Sequence, residues 1–219
     1  SNKISVINRG IDINFFNDNI NDQKNYFNFL RKYNIVNDKK IILFPGRLTR
    51  WKGQIEFLKI INFFRNSPIM FYFVGDDKNR SYLKKLTKKI NENELNNNCK
   101  ILGNLNKDEL KMMYKSSNLV ISAPLKPEGF GRTISETLSM QKIILAYNFG
   151  GAMNQLKMLD EIYKIKPSDQ NDMINKINLS LNLDNNTVKG LGEKASKHVD
   201  LNFSKEQMLK SYFNLYQGL

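Results

Sequence analysis

The chain has one cysteine, one histidine, one tryptophan and five prolines in 219 residues, and only 21 acidic side chains against 34 basic ones. A single cysteine, Cys99, forms no internal disulfide, which removes small disulfide-stapled scaffolds from consideration. Long hydrophobic runs are also missing. None approaches the roughly 20 residues that span a bilayer, and the opening Ser1-Asn2-Lys3 lacks the apolar stretch of a secretory leader. The expectation is a cytoplasmic protein, or one at the cytosolic face of an inner membrane. Ordinary glycine and proline content and 41% hydrophobic residues exclude collagen-like and wholly disordered chains. A core of its own is expected, since chains near 150 residues already bury roughly two-thirds of their surface.

The net charge of +13 is the electrostatic footprint of a polyanion binder. Composition weakens that reading, because the charge comes from 27 Lys and only 7 Arg, alongside 31 Asn. AT-rich codons produce this joint excess without selection for a partner. Lys84, Lys85, Lys88 and Lys89 share a segment with Leu83, Leu86 and Ile90, so they cover the outside of an amphipathic helix. A basic module for nucleic acid or an anionic membrane surface therefore stands as the alternative reading, and no specific nucleic acid is expected.

Four apolar runs, Ile41 to Phe44, Ile69 to Val74, Leu119 to Ile121 and Ile143 to Ala146, do not alternate with polar residues. Each is expected to be covered on both faces, as in a parallel sheet. Helix-period stretches lie between them, marked by Ile55, Leu58 and Ile61, by Leu83, Leu86 and Ile90, by Leu110, Met113 and Tyr114, and by Ile134 and Leu138. The alternation predicts an α/β fold, a doubly wound parallel sheet. Cys99 to Leu102 and Ile162 to Ile165 predict two further short strands. From Ser168 the chain reads as an all-helical tail, with a break near Gly190 and Gly192 and a last helix carrying Leu209, Tyr212, Phe213 and Tyr216. Asn17 to Asn25 reads as a loop and Tyr26 to Tyr33 as a helix. The expected division is a leading segment over 1–38, a Rossmann-like domain over 39–200 and a C-terminal helix over 201–219.

Of the 12 glycines, seven follow a predicted strand: Gly46, Gly75, Gly103, Gly129, Gly131, Gly150 and Gly151. Tight turns account for part of this. In open α/β sheets, however, ligands bind beyond the carboxyl ends of the strands, where loop amides and helix N-termini receive anions. Neither a G-x-G-x-x-G fingerprint nor a Walker A spacing occurs. In Phe44-Pro45-Gly46-Arg47-Leu48-Thr49-Arg50-Trp51-Lys52-Gly53 a strand ends in Gly and delivers an Arg and then a Lys, a fork and a point charge suited to a diphosphate. In Pro127-Glu128-Gly129-Phe130-Gly131-Arg132-Thr133-Ile134-Ser135-Glu136 two carboxylates flank a glycine-opened helix start. Such an arrangement takes an anion at the amides and hydroxyls at the carboxylates. Asn148-Phe149-Gly150-Gly151-Ala152 is a third strand-end turn.

With these motifs in order, the chain resembles the nucleotide-binding domain of family 4 of the retaining GT-B glycosyltransferases, from about Val6 to the C-terminus. The further marks are Asn8-Arg9-Gly10-Ile11-Asp12 with Phe15 or Phe16, Val74-Gly75-Asp76, Leu102-Gly103 with Leu105, and the E-x7-E spacing of Glu128 and Glu136. The wording around Gly46 and Glu128 is most like bacterial lipopolysaccharide-core transferases. The resemblance implies that Gly46 opens the turn and that Arg47 and Lys52 clamp the donor diphosphate without a protein-bound metal. Glu128 would accept hydroxyls of the donor sugar, with amides around Gly129, Phe130 and Gly131 on the same sugar. Thr133 and Ile134 would give N–H groups to the distal phosphate, Glu136 would bind ribose, and the backbone at Leu102 and Gly103 would face the base.

The resemblance implies no cofactor and a UDP- or GDP-sugar as the donor substrate. It also implies front-face attack assisted by the leaving phosphate, as is usual in that family, so no side-chain nucleophile is expected. After Gly-Gly the family often carries an acidic residue where this chain has Ala152-Met153-Asn154-Gln155. The implied partners are an N-terminal GT-B domain that this chain does not contain, a glycan or lipid-linked acceptor, and peripherally an anionic membrane. Alone, the chain is expected to transfer essentially nothing. His198 is expected to be structural or simply exposed, Cys99 a small buried hydrophobe, the methionines, Met112, Met113 and Met140 among them, ordinary core, and Trp51 to cover the site or pack on the absent domain.

Overall fold

The structure, a computed structural model, describes residues 4–18, 22–35, 38–76 and 78–218. The opening Ser1-Asn2-Lys3 and part of the Asn-rich loop expected over 17–25 lie outside the described residues. Six strands form one parallel sheet: β1 (Lys40–Pro45), β2 (Ile69–Val74), β3 (Cys99–Gly103), β4 (Leu119–Ser122), β5 (Ile144–Tyr147) and β6 (Lys164–Ile165). Their order is β3-β2-β1-β4-β5-β6. The apolar runs are buried throughout β2, β4 and β5 because helices cover both faces.

The helices are α1 (Gln23–Lys32), α2 (Gln54–Phe63), α3 (Arg80–Glu92), α4 (Lys107–Ser116), α5 (Arg132–Ser139), α6 (Gly151–Leu156), α7 (Gln170–Leu181), α8 (Asn185–Phe203) and α9 (Lys205–Gln217). Among the described residues, the doubly wound α/β expectation is met, with a helical tail from α7 onward.

Strand order positions the site. The chain winds outward from β1 through β2 to β3, then returns to the other side of β1 for β4, β5 and β6. The reversal lies between β1 and β4, so the loops leaving their carboxyl ends diverge and open a crevice. Those two loops carry Arg47 with Lys52, and Glu128 with its glycines.

Two expectations require correction. The predicted break near Gly190 and Gly192 is absent, because α8 runs unbroken from Asn185 to Phe203. Gly192 serves close packing there: a Cβ on it would lie 2.5 Å from the Gln141 carbonyl oxygen. The strand expected over Ile162 to Ile165 is half 3-10 turn, Glu161–Tyr163, with only Lys164–Ile165 paired to β5.

The leading segment is tied to the α8–α9 junction. The Ile11 amide donates to the Phe203 carbonyl at 2.9 Å and the Lys205 amide to the Ile11 carbonyl at 2.8 Å. Phe16 is buried. In contrast, α9 buries no residue, and Leu209, Tyr212, Phe213 and Tyr216 are exposed.

Candidate functional site

Helix starts differ according to where they stand. Six of the nine described helices are capped by a side chain: Asp22, Asn79, Asn106, Asp169, Asp184 or Ser204 accepts a first-turn amide. The other three, α2, α5 and α6, open at Gly53, Gly131 and Gly150 with no side-chain cap. Of these, α2 has its Ile55 amide taken by the Tyr82 hydroxyl at 3.3 Å and α6 its Gly151 amide by the Glu128 carbonyl at 2.8 Å, whereas the α5 start opens on the crevice.

The crevice is a cleft of about 1050 Å³. It gathers Gly46, Arg47, Lys52, Glu128, Gly129, Phe130, Gly131, Thr133 and Glu136 of the motifs into one wall system. Val6 to Arg9 of the leading segment, Trp51, Asp76, Leu105, Tyr114 and Asn154 are also among its lining residues. Leu102 and Gly103 are not among the lining residues; β3 ends there, and the next residues, Asn104 and Leu105, form the wall instead. Ile134 also departs from expectation. Its side chain is core, and its amide already donates to the Gly131 carbonyl at 3.0 Å. The first-turn amides of Arg132 and Thr133 are the ones that an anion would meet.

Packing explains how Arg47 and Lys52 are held. The β1 loop passes directly over Gly75, whose absent Cβ would stand 2.1 Å from the Gly46 carbonyl oxygen. The Leu48 amide donates to the Asp76 carbonyl at 2.9 Å and buried Gln54 donates from Nε2 to the Arg47 carbonyl at 3.0 Å. Arg47 itself is exposed, its guanidinium 5.6 Å from the Trp51 ring. The Lys52 stem lies against the hydrogen-only face of Gly46, its Nζ 4.6 Å from the Trp51 ring centroid. Lys52 is ion-paired with Glu128, and both side chains are largely buried. Trp51 thus backs both cations while its carbonyl accepts the Leu125 amide at 2.7 Å.

The glycine loop is braced from beneath by a residue the motifs did not single out. Gln155, fully buried on α6, donates from Nε2 to the Phe130 and Gly131 carbonyls and accepts the Ser135 hydroxyl at Oε1. A carboxylate at 155 would lack those two donors, so the amide is what this loop requires. His198 hydrogen-bonds the Gln155 carbonyl at 2.8 Å, and its ring meets Phe203, which meets Phe130. It is structural, as expected; only the position of Gln155 just after the Gly-Gly turn hinted at the brace.

Glu136 sits on the first turns of α5, nearly buried at 6% exposure. Its Oε1 accepts from Arg132 at 3.0 Å and its Oε2 from the Tyr114 hydroxyl at 3.1 Å. Burial raises its pKa above the ordinary carboxylate value, and Arg132 and the Tyr114 hydrogen bond oppose that rise. A carboxyl whose pKa is raised by folding contributes most below its unfolded pKa and loses that contribution as pH rises through the folded value. At neutral pH the ionised group is therefore a burden on the fold. E136Q, which keeps an acceptor for Tyr114, is expected to gain on the wild type in Tm as pH rises from 4 to 7, by roughly 2–4 °C per kcal/mol relieved. Thermal melts across that range check this; a gap that shrinks with pH would refute it.

Among the described residues, no helix is long and apolar enough to cross a membrane.

Three comparisons meet at this geometry. A glycosyltransferase of Rickettsia africae has the same architecture at a TM-score of 0.91, with 28% identity, covering 99% of this chain and 57% of that one. Anabaena HepE, solved with UDP and glucose, aligns at a TM-score of 0.84 with 23% identity over 98% of this chain and 57% of that one. The lipopolysaccharide 1,2-N-acetylglucosaminetransferase of Salmonella typhimurium is 25% identical over 206 residues, 85% of this chain and 52% of that protein. The chain spans about half or less of the length of the curated relatives it matches. The model of the family described as glycosyl transferases group 1 matches residues 25–198, most of the chain, and the chain belongs to that family.

Proposed function

We propose that this chain is the donor-binding part of a family 4 retaining glycosyltransferase. The whole enzyme moves a hexose from a nucleoside-diphosphate sugar to a glycan or lipid-linked acceptor in lipopolysaccharide-type cell-envelope synthesis. One observation carries the reading: two cations, two carboxylates and an uncapped helix start converge on one cleft at the switch point of the sheet. The relatives support it, since Anabaena HepE was solved with UDP-glucose and the Salmonella relative is a lipopolysaccharide transferase.

In this reading Arg47 and Lys52 take the diphosphate, Thr133 gives its amide to the distal phosphate, Glu128 accepts sugar hydroxyls and Glu136 the ribose diol. The bond from the anomeric carbon to the diphosphate oxygen breaks as the acceptor oxygen bonds the same face of that carbon. The acceptor proton passes to the leaving phosphate. The two cations stabilise charge that grows on the leaving group, an interaction stronger in the transition state than before it. Residues 39–200 form the donor domain, 1–38 lead in from an N-terminal GT-B domain, and 201–219 return to it. The exposed aromatic face of α9 gives that domain something to cover. Without it, acceptor positioning and hence most of the rate are absent.

A thermal-shift panel of nucleoside diphosphates and their sugars tests the proposal. The donor's own nucleotide is expected to raise Tm by several degrees, as ligand at about 100 times its Kd adds roughly 2.7 kcal/mol. No shift with any member of the panel would count decisively against it.

A further inference from the structure

The structure assigns a positioning role to Tyr114: its buried hydroxyl fixes the Glu136 carboxylate in the orientation that receives a ribose diol. This inference rests on the reading of Glu136 given above.

Tyr114 is fully buried on α4, yet it borders the cleft. Its hydroxyl donates to Glu136 Oε2 at 3.1 Å, across 22 residues of sequence and from a different helix. Nothing about core filling requires a hydroxyl there; phenylalanine fills nearly the same volume. A buried tyrosine hydroxyl must find a partner, and here the partner is the one carboxylate on α5 that faces the cleft. Burial and the neighbouring carboxylate push the Tyr114 pKa well up, so it stays a protonated donor at every working pH. The ring is held in turn: Phe16 of the leading segment meets it edge-on with centroids 6.2 Å apart.

Glu136 could be oriented by its other neighbour instead. Arg132 reaches Oε1 at 3.0 Å, but its side chain is 64% exposed. An exposed guanidinium four residues along a helix is a weak and mobile restraint. Tyr114, rigid and dry, is the stronger one. With one lone pair of each carboxylate oxygen occupied, each oxygen keeps a second acceptor site, and a vicinal diol supplies two hydroxyl donors at matching spacing.

The test is a cycle of protein and ligand changes. Affinities of UDP and GDP are compared with those of their 2′-deoxy and 3′-deoxy forms, by calorimetry, for the wild type, E136Q, Y114F and R132A. The wild type is expected to prefer the ribose form about tenfold or more, the effect of a hydrogen bond to a charged group. E136Q and Y114F are each expected to reduce that preference to about twofold, and the double variant to lose no more than either alone. R132A is expected to retain most of it.

A preference present in the wild type and lost in E136Q but kept in Y114F overturns the role of Tyr114 and leaves the reading of Glu136 intact. A wild type indifferent to the ribose hydroxyls overturns that reading, and this inference with it. Should Y114F fail to fold, R132A still decides: loss of the preference there makes Arg132 the anchor and refutes the assignment to Tyr114.

Discussion

Replacing Lys52 by alanine is expected to weaken nucleoside-diphosphate binding roughly 30- to 150-fold, about 2–3 kcal/mol, and to lower Tm as well, since it leaves a largely buried carboxylate unpaired. Two effects add. The ammonium that meets the diphosphate is lost, and Glu128, its ion-pair partner, is left as a largely buried carboxylate facing an incoming anion. Glu128→Ala separates these terms, since it frees Lys52. It should leave the affinity for the bare diphosphate intact or improved, while removing whatever the attached sugar adds. Calorimetric titration of both variants with nucleoside diphosphate and with the intact sugar nucleotide checks the asymmetry. Equal losses in the two variants would mean that the pair is a structural tie rather than two halves of a site.

Gly75→Ala is expected to cost more stability than any other single change at the cleft, about 3 kcal/mol or more, seen as a Tm fall near 10 °C. The added methyl would stand 2.1 Å from the Gly46 carbonyl oxygen and 3.0 Å from the Arg47 amide, both backbone atoms that no rotamer change can move. The φ of +153° adds strain of its own. Because the atoms displaced belong to the Arg47 loop, the nucleotide response should fall together with Tm. Gly129→Ala is the control, since no atom lies within 4 Å of the methyl it would add. It should melt within about 0.5 kcal/mol of the wild type. A Gly75→Ala variant as stable as Gly129→Ala would show that the close approach of β1 and β2 loops is not what sets this part of the site.

Much of this architecture is legible in the chain itself. The strands β1, β2, β4 and β5 announce themselves as unbroken apolar runs because both of their faces are covered. The order of the motifs places Arg47, Lys52 and Glu128 on loops that leave the same sheet edge and Glu136 on the helix that follows, and one cleft gathers them.

What is not legible is long-range pairing. Nothing near Tyr114 in sequence indicates that its hydroxyl meets Glu136, and its place in an apolar helical stripe disguises it as core. Which first-turn amide is free depends on where the Gly131 carbonyl points, so Ile134 was a reasonable expectation that the local turn overrules. Gly192 reads as a helix breaker although it is a contact point, because a glycine's neighbour across a packed interface leaves no trace in its own segment.

A cleft for a nucleoside diphosphate and the +13 charge of the chain as a whole predict different ligands. Calorimetry on the wild-type chain, at two salt concentrations, with UDP- and GDP-sugars, duplex DNA and anionic vesicles as separate titrants, tests this most directly. One sugar nucleotide is expected to bind at a single site with an affinity that changes little with salt and falls roughly 30- to 150-fold in Lys52→Ala. Binding to DNA or vesicles alone, collapsing as salt is added and indifferent to Lys52, would contradict it.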